Sequence, residues 1–346
     1  MVEYKRIKDF EVGIIGVGGI GSTVAHYLLY TYPGARLNLN SRDHSRLKVK
    51  INEIIANRGN CYNLFTEIEA RDRIRTFENI DGKITEGDIK KRFLDSDFII
   101  VSARNSAIPF SSFREREDEY YANKKVIKEI AERLEGYKGI VLVVTNPLEL
   151  SCEEIANKSK IPKNRIVGVS YVDTLRFRRE LAREINKVGE YKVTEQELNK
   201  AVVIGEHGPT MVPIYHLLKI KGKRFVDNTK LNTESLRKRI KQALVKDPTK
   251  LQTGEDGSKN VRIPSISVIH TLDSLITGEV LPMQAYDGDC FITNLARAIK
   301  VEQPDGVINI IERDKEFLDR ISKIEKRKYR QSKEEILRKL EEAGLS

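Results

Sequence analysis

A glycine-rich turn near the N-terminus constrains the fold more than any other feature of this sequence. Residues 11–16 (EVGIIG) form a short apolar run typical of a buried strand, and residues 20–30 carry apolar side chains at helical spacing. The glycines between them permit a turn that bulkier residues would obstruct. A strand, a tight turn and a helix in this order predict the first unit of a parallel sheet.

The alternation of strand and helix patterns continues through the first half of the chain. Residues 36–40, 98–102 and 140–145 are predicted strands. Between the last two runs, one helical face is apolar, made by Val126, Ile127, Ile130, Ala131 and Leu134. Strands that alternate with helices form parallel sheets covered on both faces. The pattern therefore predicts an α/β fold with a doubly wound parallel sheet in residues 1–147.

The second half of the chain mixes the two patterns. Residues 165–170 and 201–205 have the pattern of strands, whereas residues 233–245 and 264–276 have that of helices. We therefore expect an α+β domain over residues 148–346. Its charged C-terminal segment is expected to be a helix that docks through one apolar face, made by Phe317, Leu318, Ile321 and Ile324.

The composition excludes several classes of protein. A chain of 346 residues, 40% hydrophobic and 32% charged, is long enough for two domains and unlike a disordered chain. No apolar stretch approaches the roughly 20 residues that cross a bilayer, and no signal-type segment is present, so we expect a cytoplasmic protein without a membrane partner. The three cysteines are widely spaced and form neither a disulfide framework nor a zinc pattern, so no metal is expected.

The formal net charge of +10 favours anionic partners. A phosphorylated cofactor, a dicarboxylate and nucleic acid all meet that description. The sequence shows no nucleic-acid recognition module, and charge alone supports that alternative. We therefore expect a small-molecule partner and no nucleic acid.

The glycine turn has the spacing of a dinucleotide-binding motif. It reads GxGxxG between residues 16 and 21, after a predicted strand and at the start of a predicted helix. In such a motif the first glycine permits the turn, the second admits a pyrophosphate and the third lets the helix pack on the strand. The predicted cofactor contacts here are Gly16, Gly18, Gly19, Ile20 and Gly21.

The end of the second predicted strand indicates which dinucleotide is bound. NAD-binding domains usually carry an acidic residue there for the ribose hydroxyl, but this chain has Ser41 and Arg42. A hydroxyl and a guanidinium would bind a 2′-phosphate, whereas a carboxylate would repel it. We therefore predict NADP(H). Asp43 leaves NAD(H) as the alternative, because a small shift of the strand end would bring its carboxylate into place.

Three further motifs follow along the chain in a recognisable order. They are Thr145-Asn146-Pro147, Asp173-Thr174-Leu175-Arg176-Phe177 and Gly205-Glu206-His207-Gly208. With the glycine turn, they make the chain resemble the lactate/malate dehydrogenase family of NAD(P)-dependent 2-hydroxy acid dehydrogenases over nearly its whole length. The resemblance implies a Rossmann-type first domain, a 2-hydroxy or 2-oxo acid substrate and a homodimer or homotetramer. It also places Ala103, Asn123 and Asn146 beside the cofactor.

The residue types in these motifs suit the oxidation of a secondary alcohol. Histidine takes up a proton near neutral pH, so His207 is the predicted base. A carboxylate on its far ring nitrogen would orient it, which suits Asp173. Arg176 lies one helical turn further and can bind a substrate carboxylate with two hydrogen bonds. The resemblance assigns Asn146 to contacts with the substrate.

The predicted substrate loop departs from the family pattern. The resemblance makes Arg116 the residue that polarises the reacting carbonyl, with Arg114 as the alternative, in a loop longer than the family's. The position that selects the substrate falls on Phe110 or Ala107, where the family has Arg for malate or Gln for lactate. An arginine elsewhere would have to replace the missing one; the candidates are Arg104, Arg114 and Arg262. Asn260 and Pro209 are further departures.

Three functional hypotheses follow from these residues. The first is a malate dehydrogenase-like oxidoreductase that transfers a hydride between NADP(H) and malate or oxaloacetate. The second is a lactate-like dehydrogenase for a substrate with a neutral or apolar tail, because the substrate loop lacks a charged selecting residue. The third is a nucleotide-binding homologue with little turnover, because the scaffold motifs persist beside an altered loop.

Overall fold

The computed structural model of the protein contains a doubly wound sheet that is extended by a second set of strands. It describes most of the chain, with gaps around the predicted substrate loop and before the helix that starts at residue 262. The described residues are 10–32, 34–56, 73–77, 93–105, 107–108, 116–245, 262–303 and 306–345.

The first half alternates strands and helices, as the sequence predicts. The elements in chain order are β1 (Phe10–Ile15), α1 (Gly19–Thr31), β2 (Ala35–Asn40), α2 (His44–Ala56), β3 (Ile74–Phe77), β4 (Phe98–Val101), α3 (Arg116–Arg133), β5 (Ile140–Val143), α4 (Leu148–Ser159) and β6 (Ile166–Gly168).

These six strands are parallel and lie in the order β3-β2-β1-β4-β5-β6. Val12 of β1 pairs with Leu37 of β2 on one side and with Phe98 of β4 on the other. The chain places β2 and β3 on one side of β1 and then β4, β5 and β6 on the other side. This change of side between β3 and β4 opens a crevice at the carboxyl ends of β1 and β4. The doubly wound parallel sheet is therefore confirmed, and its ligand-binding edge is the one that follows β1, β4 and β5.

The second half adds helices and antiparallel strands. Its elements are α5 (Tyr171–Lys187), β7 (Val202–Ile204), β8 (Val212–Ile214), β9 (Lys219–Ile220), β10 (Lys223–Arg224), α6 (Glu234–Val245), α7 (Arg262–Thr277), β11 (Leu281–Tyr286), β12 (Phe291–Gln303), β13 (Gly306–Arg313), α8 (Phe317–Arg320) and α9 (Lys323–Ala343).

Strand β11 pairs antiparallel with β6, and β12 and β13 continue from it. Nine of the described strands thus form one sheet, while β9 with β10 and β7 with β8 make two separate pairs. An isolated bridge between Gly205 and Thr293 joins that pair to β12. The residues after β7 are thereby held close to the main sheet.

The C-terminal segment docks differently from the prediction. Phe317 and Ile321 are buried, but Ile324 is 58% exposed. The helix breaks after α8, and Ser322 begins α9 with a capping box in which its hydroxyl and the Glu325 carboxylate each bind the other's backbone N–H. A single helical face cannot continue across that break. Helix α9 instead packs through Tyr329, Ile336 and Leu340.

The described residues contain neither a helix suited to span a membrane nor a cluster of metal-ligating side chains. None of the helices there has both the length and the hydropathy needed to cross a membrane. The same part of the chain contains no group of three or more His, Cys, Asp or Glu residues arranged to hold a metal ion.

Candidate active site

The glycine turn joins β1 to α1, and its geometry requires glycine. Gly16 has a φ of +94°, and a Cβ there would lie 2.5 Å from the backbone of Ala103. A Cβ on Gly21 would lie 2.2 Å from the carbonyl oxygen of Gly16. At Gly18 a Cβ would meet none of the described atoms within 4 Å. The turn is therefore closely packed at Gly16 and Gly21 and open beside Gly18.

The N-terminus of α1 can receive an anion. Gly18 is its N-cap, Gly19 and Ile20 are its first residues, and no side chain in the described regions caps it. Its first turn also has no acidic residue. Uncapped N–H groups and the positive end of the helix dipole favour a phosphate. The open space beside Gly18 and this uncapped terminus fit the pyrophosphate of a dinucleotide.

The end of β2 lies beside the glycine turn. Asn40 is the last strand residue, and its carbonyl oxygen accepts the N–H of Gly16 at 2.9 Å. Arg42 is exposed and donates to the carbonyl oxygen of Arg104 at 3.0 Å. The carboxylate of Asp43 accepts the N–H of Arg46 at 2.9 Å in the first turn of α2. Sequence analysis did not single out Asn40, although a polar residue ending an apolar strand was a usable signal.

A series of hydrogen bonds connects the glycine turn to the ends of β4 and β5. The hydroxyl of Ser102 donates to the carbonyl oxygen of Gly16 at 2.8 Å. The hydroxyl of Thr145 donates to the carbonyl oxygen of Ala103 at 2.8 Å. Asn146 follows, and its buried Oδ1 has no hydrogen-bond partner among the described residues. A buried acceptor without a partner fits a position that contacts a ligand.

Asn123 lies on α3. It is buried, and its Oδ1 accepts the N–H of Asn105 at 2.7 Å. That contact fixes the backbone at the start of the predicted substrate loop.

His207 and Asp173 form a buried pair. The Nδ1 of His207 lies 2.5 Å from the Oδ2 of Asp173, and both residues are buried. A carboxylate accepts, so Nδ1 carries the proton, and this leaves Nε2 to exchange protons. Helix α5 places Asp173 there because the hydroxyl of Thr174 accepts the N–H of Val203 in β7 at 3.0 Å.

A glycine is needed at position 205, two residues before His207. Gly205 has a φ of +91°, and a Cβ there would lie 2.7 Å from the hydroxyl of Ser332. The positive φ lets the chain turn away from β7 toward the edge of the sheet.

Arg176 lies beside this pair. Its Nη1 is 3.8 Å from the Oδ1 of Asp173, one helical turn away on α5, and its side chain is 13% exposed. The structure thus brings three of the predicted site residues together. The guanidinium lies near the histidine and retains some contact with solvent, as a group that binds an incoming anion requires.

A buried carboxylate holds the histidine backbone. The Oε1 of Glu149 accepts the N–H of His207 at 2.6 Å and also accepts the side-chain amide of Gln284. Glu149 lies in the first turn of α4, three residues after Asn146, so it ties His207 to the carboxyl end of β5. Burial raises the pKa of Glu149 above its ordinary value, and the nearby Glu206 carboxylate raises it further. Sequence analysis missed this residue because its partners are distant in sequence.

Replacing Glu149 should change how stability depends on pH. A raised pKa means that the native state keeps this proton after the unfolded chain has lost it, so ionisation destabilises the fold as pH rises. The quantity to follow is the free energy of unfolding of Glu149→Gln minus that of the wild type. This difference should increase as pH rises above 4.5, by at most about 1.4 kcal/mol per pH unit. Urea unfolding at a series of pH values measures it.

Glu184→Gln is the control, because its stability difference from the wild type should change with pH in the opposite direction. Burial opposes ionisation there as well, but hydrogen bonds from Lys187 and Arg239 lower the pKa of Glu184 overall. Its contribution to stability is present at high pH and lost as pH falls, so its difference from the wild type should become more negative as pH rises. A difference for Glu149→Gln that stays flat between pH 4 and 9 would contradict the assignment.

Parts of the predicted substrate loop lie outside the described residues. These are Phe110 and Arg114, together with the side chain of Arg116, which is the first residue of α3. Asn260 and the side chain of Arg262 also lie outside them. Arg104 is described, and its guanidinium donates to the carbonyl oxygen of Ile108 at 3.2 Å.

The fold and the glycine turn define a dinucleotide-binding α/β protein. Residues 10–168 match the family described as lactate/malate dehydrogenase, NAD binding domain. A malate dehydrogenase from Francisella tularensis subsp. novicida (strain U112) is 29% identical over 234 residues, which are 65% of this chain and 64% of that protein. The chain thus matches a little under two thirds of that relative's length. Together the matches show that this chain is similar to the lactate/malate dehydrogenase family, whose domain model covers a little under half of it.

Solved structures agree on the fold. The malate dehydrogenase of Cryptosporidium parvum superposes with a TM-score of 0.72 and 21% identity, covering 96% of this chain and 98% of that one. The minor L-lactate dehydrogenase of Enterococcus mundtii gives a TM-score of 0.72 and 19% identity, with coverages of 97% and 98%. The fold therefore extends over both halves of the chain.

Proposed function

We propose that this protein is an oxidoreductase that transfers a hydride between NADP(H) and a 2-hydroxy or 2-oxo acid, with malate and oxaloacetate as the first candidates. The observation that carries the proposal is the buried His207–Asp173 pair with Arg176 beside it. Hydrogen bonds through Glu149 and Thr145 connect this pair to the edge where the glycine turn lies. In this proposal the acid-base group and the anion-binding group act beside the dinucleotide site, at the same edge of the sheet.

The base in this proposal is His207. In the direction of alcohol oxidation, Nε2 takes the proton of the substrate hydroxyl, while the C2–H bond breaks and its hydride leaves with both electrons. Asp173 accepts the hydrogen bond from Nδ1 and stabilises the imidazolium that forms. In the reverse direction the same nitrogen returns the proton to the carbonyl oxygen. The nicotinamide, when bound, accepts or supplies the hydride.

Three more residues position the substrate in this proposal. Arg176 binds the carboxylate next to the reacting carbon through two parallel hydrogen bonds. Arg116, the first residue of α3, polarises the carbonyl oxygen in this proposal. Asn146 uses its buried, unpartnered oxygen to contact the ligand. Each role follows the family pattern at the matching position.

The proposed preference for NADP(H) rests on the end of β2. Ser41 and Arg42 follow the strand directly, whereas the carboxylate of Asp43 is engaged at the start of α2. A 2′-phosphate at this place would meet a hydroxyl and a guanidinium rather than an acidic side chain.

Replacing Arg42 should weaken the binding of NADPH selectively. A charge-assisted hydrogen bond is worth about 1.5–3 kcal/mol, so Arg42→Ala should raise the Kd of NADPH about 10-fold to 100-fold and change that of NADH less than about 3-fold. Nicotinamide fluorescence measures both. Arg36→Ala, near the amino end of the same strand and paired with Glu11, is the matched control and should change neither value. An equal loss for both dinucleotides would contradict a 2′-phosphate contact.

A panel of 2-oxo acids tests the proposed reaction. The loss of NADPH or NADH absorbance is followed with oxaloacetate, pyruvate and 2-oxo acids with longer apolar tails. Turnover that is fastest with oxaloacetate and NADPH supports the proposal as stated. Turnover only with neutral tails supports the lactate-like alternative. Binding of NADPH without turnover of any substrate would overturn the enzymatic proposal in favour of a nucleotide-binding role.

A further inference from the structure

The last helix, α9, carries a lysine that joins two segments of the candidate site. The Nζ of Lys339 lies 2.7 Å from the Oε1 of Glu206 and 2.7 Å from the Oε1 of Glu117. Its side chain is 12% exposed, and Glu335 on the same helix is 3.8 Å away. One ammonium group therefore bridges two carboxylates from segments that are far apart in sequence.

The two carboxylates adjoin two residues of the proposed mechanism. Glu206 directly precedes His207, and Glu117 directly follows Arg116. One bridge therefore holds the backbone beside the proposed base and the backbone beside the proposed polarising arginine.

The contacts of Glu206 make its side of the bridge rigid. Its Oε2 accepts the N–H and the hydroxyl of Thr210, at 3.1 and 2.6 Å. Its own N–H donates to the hydroxyl of Ser332 at 2.7 Å. Ser332 and Lys339 lie two helical turns apart on one face of α9, so this helix binds the segment after β7 at two points.

The other side of the bridge also has support from α9. The hydroxyl of Tyr121 on α3 donates to the carbonyl oxygen of Glu342 at 3.5 Å, and the ammonium of Lys124 donates to that of Ala343 at 3.4 Å. The first two turns of α3 therefore rest on the end of α9. A shift of α9 would move the start of α3 and the segment after β7 together.

The pKa values of Lys339 and Glu117 both shift in the direction that favours their charged forms. Burial opposes the charge of Lys339, but hydrogen bonds to Glu117 and Glu206 raise its pKa overall. Burial likewise opposes ionisation of Glu117, but the hydrogen bond from Lys339 lowers its pKa overall. Removing the ammonium would leave two carboxylates close together, one of them buried and unable to reach water.

We propose that Lys339 is a positioning residue for the reaction, which fixes the segment that carries His207 relative to the start of α3 that carries Arg116. The inference rests on the proposed function. Lys339 does not contact the substrate in this proposal. It acts through Glu206 and Glu117, and its loss lets the two segments move apart.

Lys333 supplies a matched control on the same helix. Its Nζ lies 2.7 Å from the Oδ2 of Asp287 and 2.5 Å from the Oδ2 of Asp289, and its side chain is 23% exposed. It too bridges two carboxylates, but these lie in the turn between β11 and β12. Lys333→Met should therefore cost stability as Lys339→Met does, without disturbing the site.

The test compares wild type, Lys339→Met, Lys339→Arg and Lys333→Met in the 2-oxo acid assay. A displacement of about 1 Å at reacting groups costs on the order of 100-fold, so kcat of Lys339→Met should fall about 10-fold to 100-fold while the Kd of NADPH stays within about 2-fold. Lys339→Arg keeps the charge and should recover most of the loss. Lys333→Met should keep the wild-type kcat. Equal kcat for all four proteins overturns the inference.

A second variant, Glu117→Gln, tests the inference even if Lys339→Met does not fold. Glu117→Gln weakens only the α3 side of the bridge and leaves Lys339 paired with Glu206, so it should fold and lower kcat in the same direction. A wild-type kcat in Glu117→Gln overturns the inference.

Hydrogen exchange gives a readout that does not need turnover. In Lys339→Met, peptides covering residues 116–125 and 206–210 should exchange faster together, and in Lys333→Met neither should. If the wild type turns over no substrate, the proposed function fails and the positioning role fails with it. If the wild type is active and Lys339→Met is equally active, only the positioning role fails.

Discussion

His207→Asn is expected to lower kcat for the 2-oxo acid by about 100-fold to 10,000-fold and to leave the Kd of NADPH within about 2-fold. Asparagine retains a polar side chain of similar reach, but it cannot take up a proton near neutral pH. The proposed cofactor contacts lie around the glycine turn and the end of β2, so cofactor binding should survive the change. Single-turnover absorbance and nicotinamide fluorescence measure the two effects separately.

His216→Asn is the matched control for that experiment. His216 lies in the segment after β8, where its ring faces Arg224 at 3.4 Å, away from Asp173. Its replacement should leave kcat within about 2-fold, because no proposed step uses it. If His207→Asn kept more than about a tenth of the wild-type kcat in a folded protein, the assignment of His207 as the base would be wrong.

Arg176→Gln is the second change with a large expected effect. Truncating one partner of a buried, hydrogen-bonded charge pair costs about 2–5 kcal/mol, so kcat/KM for the 2-oxo acid should fall about 30-fold to 4,000-fold. Most of the loss should appear as a higher KM, since the contact to the carboxylate is present in both the ground state and the transition state. Steady-state assays with saturating NADPH measure it.

Arg179→Gln is the control for Arg176→Gln. Arg179 is on the same helix, but its side chain is 50% exposed and its neighbour is Glu180 at 3.5 Å. An exposed ion pair of this kind contributes little, so both KM and kcat should stay near the wild-type values. If Arg176→Gln left KM unchanged, the substrate carboxylate would have to bind elsewhere, and Arg104 would become the next residue to replace.

The residues of the predicted substrate loop bear on the tail of the substrate. The family's selecting position falls on Phe110 or Ala107, and neither side chain carries a charge. The guanidinium of Arg104 hydrogen-bonds to the carbonyl oxygen of Ile108 within the same loop. A second substrate carboxylate would therefore require a rearrangement of Arg104 or a contact from Arg114 or Arg262. The panel of 2-oxo acids decides between a charged and a neutral tail.

Most of the first half could be predicted because its signals are local. The turn at Gly16 and the helix after it follow from residues that are neighbours in sequence, and the structure confirms β1 and α1 within about one residue of the prediction. The C-terminal segment shows the limit of this reasoning. Apolar spacing predicted one helical face that includes Ile324, but a capping box at Ser322 restarts the helix and leaves Ile324 exposed.

The partners of buried charges could not be predicted in the same way. Glu149 and Glu206 look like ordinary surface carboxylates in the sequence, yet both are buried. Their partners, Gln284 and Lys339, lie more than a hundred residues further along the chain. No periodicity or spacing connects such residues, because only the packed fold brings them within hydrogen-bonding distance.

By itself, the sequence determined the class of the fold, the glycine turn and the candidate residues His207, Asp173 and Arg176, because each depends on a local pattern or on the chemistry of a side chain. The tertiary structure alone decided the strand order, the contacts of Glu149 with His207 and Gln284, and the bridge from Lys339 to Glu117 and Glu206. These features depend on packing between residues that are distant in sequence. Burial strengthens a charge pair, and a buried polar group destabilises the fold unless a residue that the fold brings close hydrogen-bonds to it.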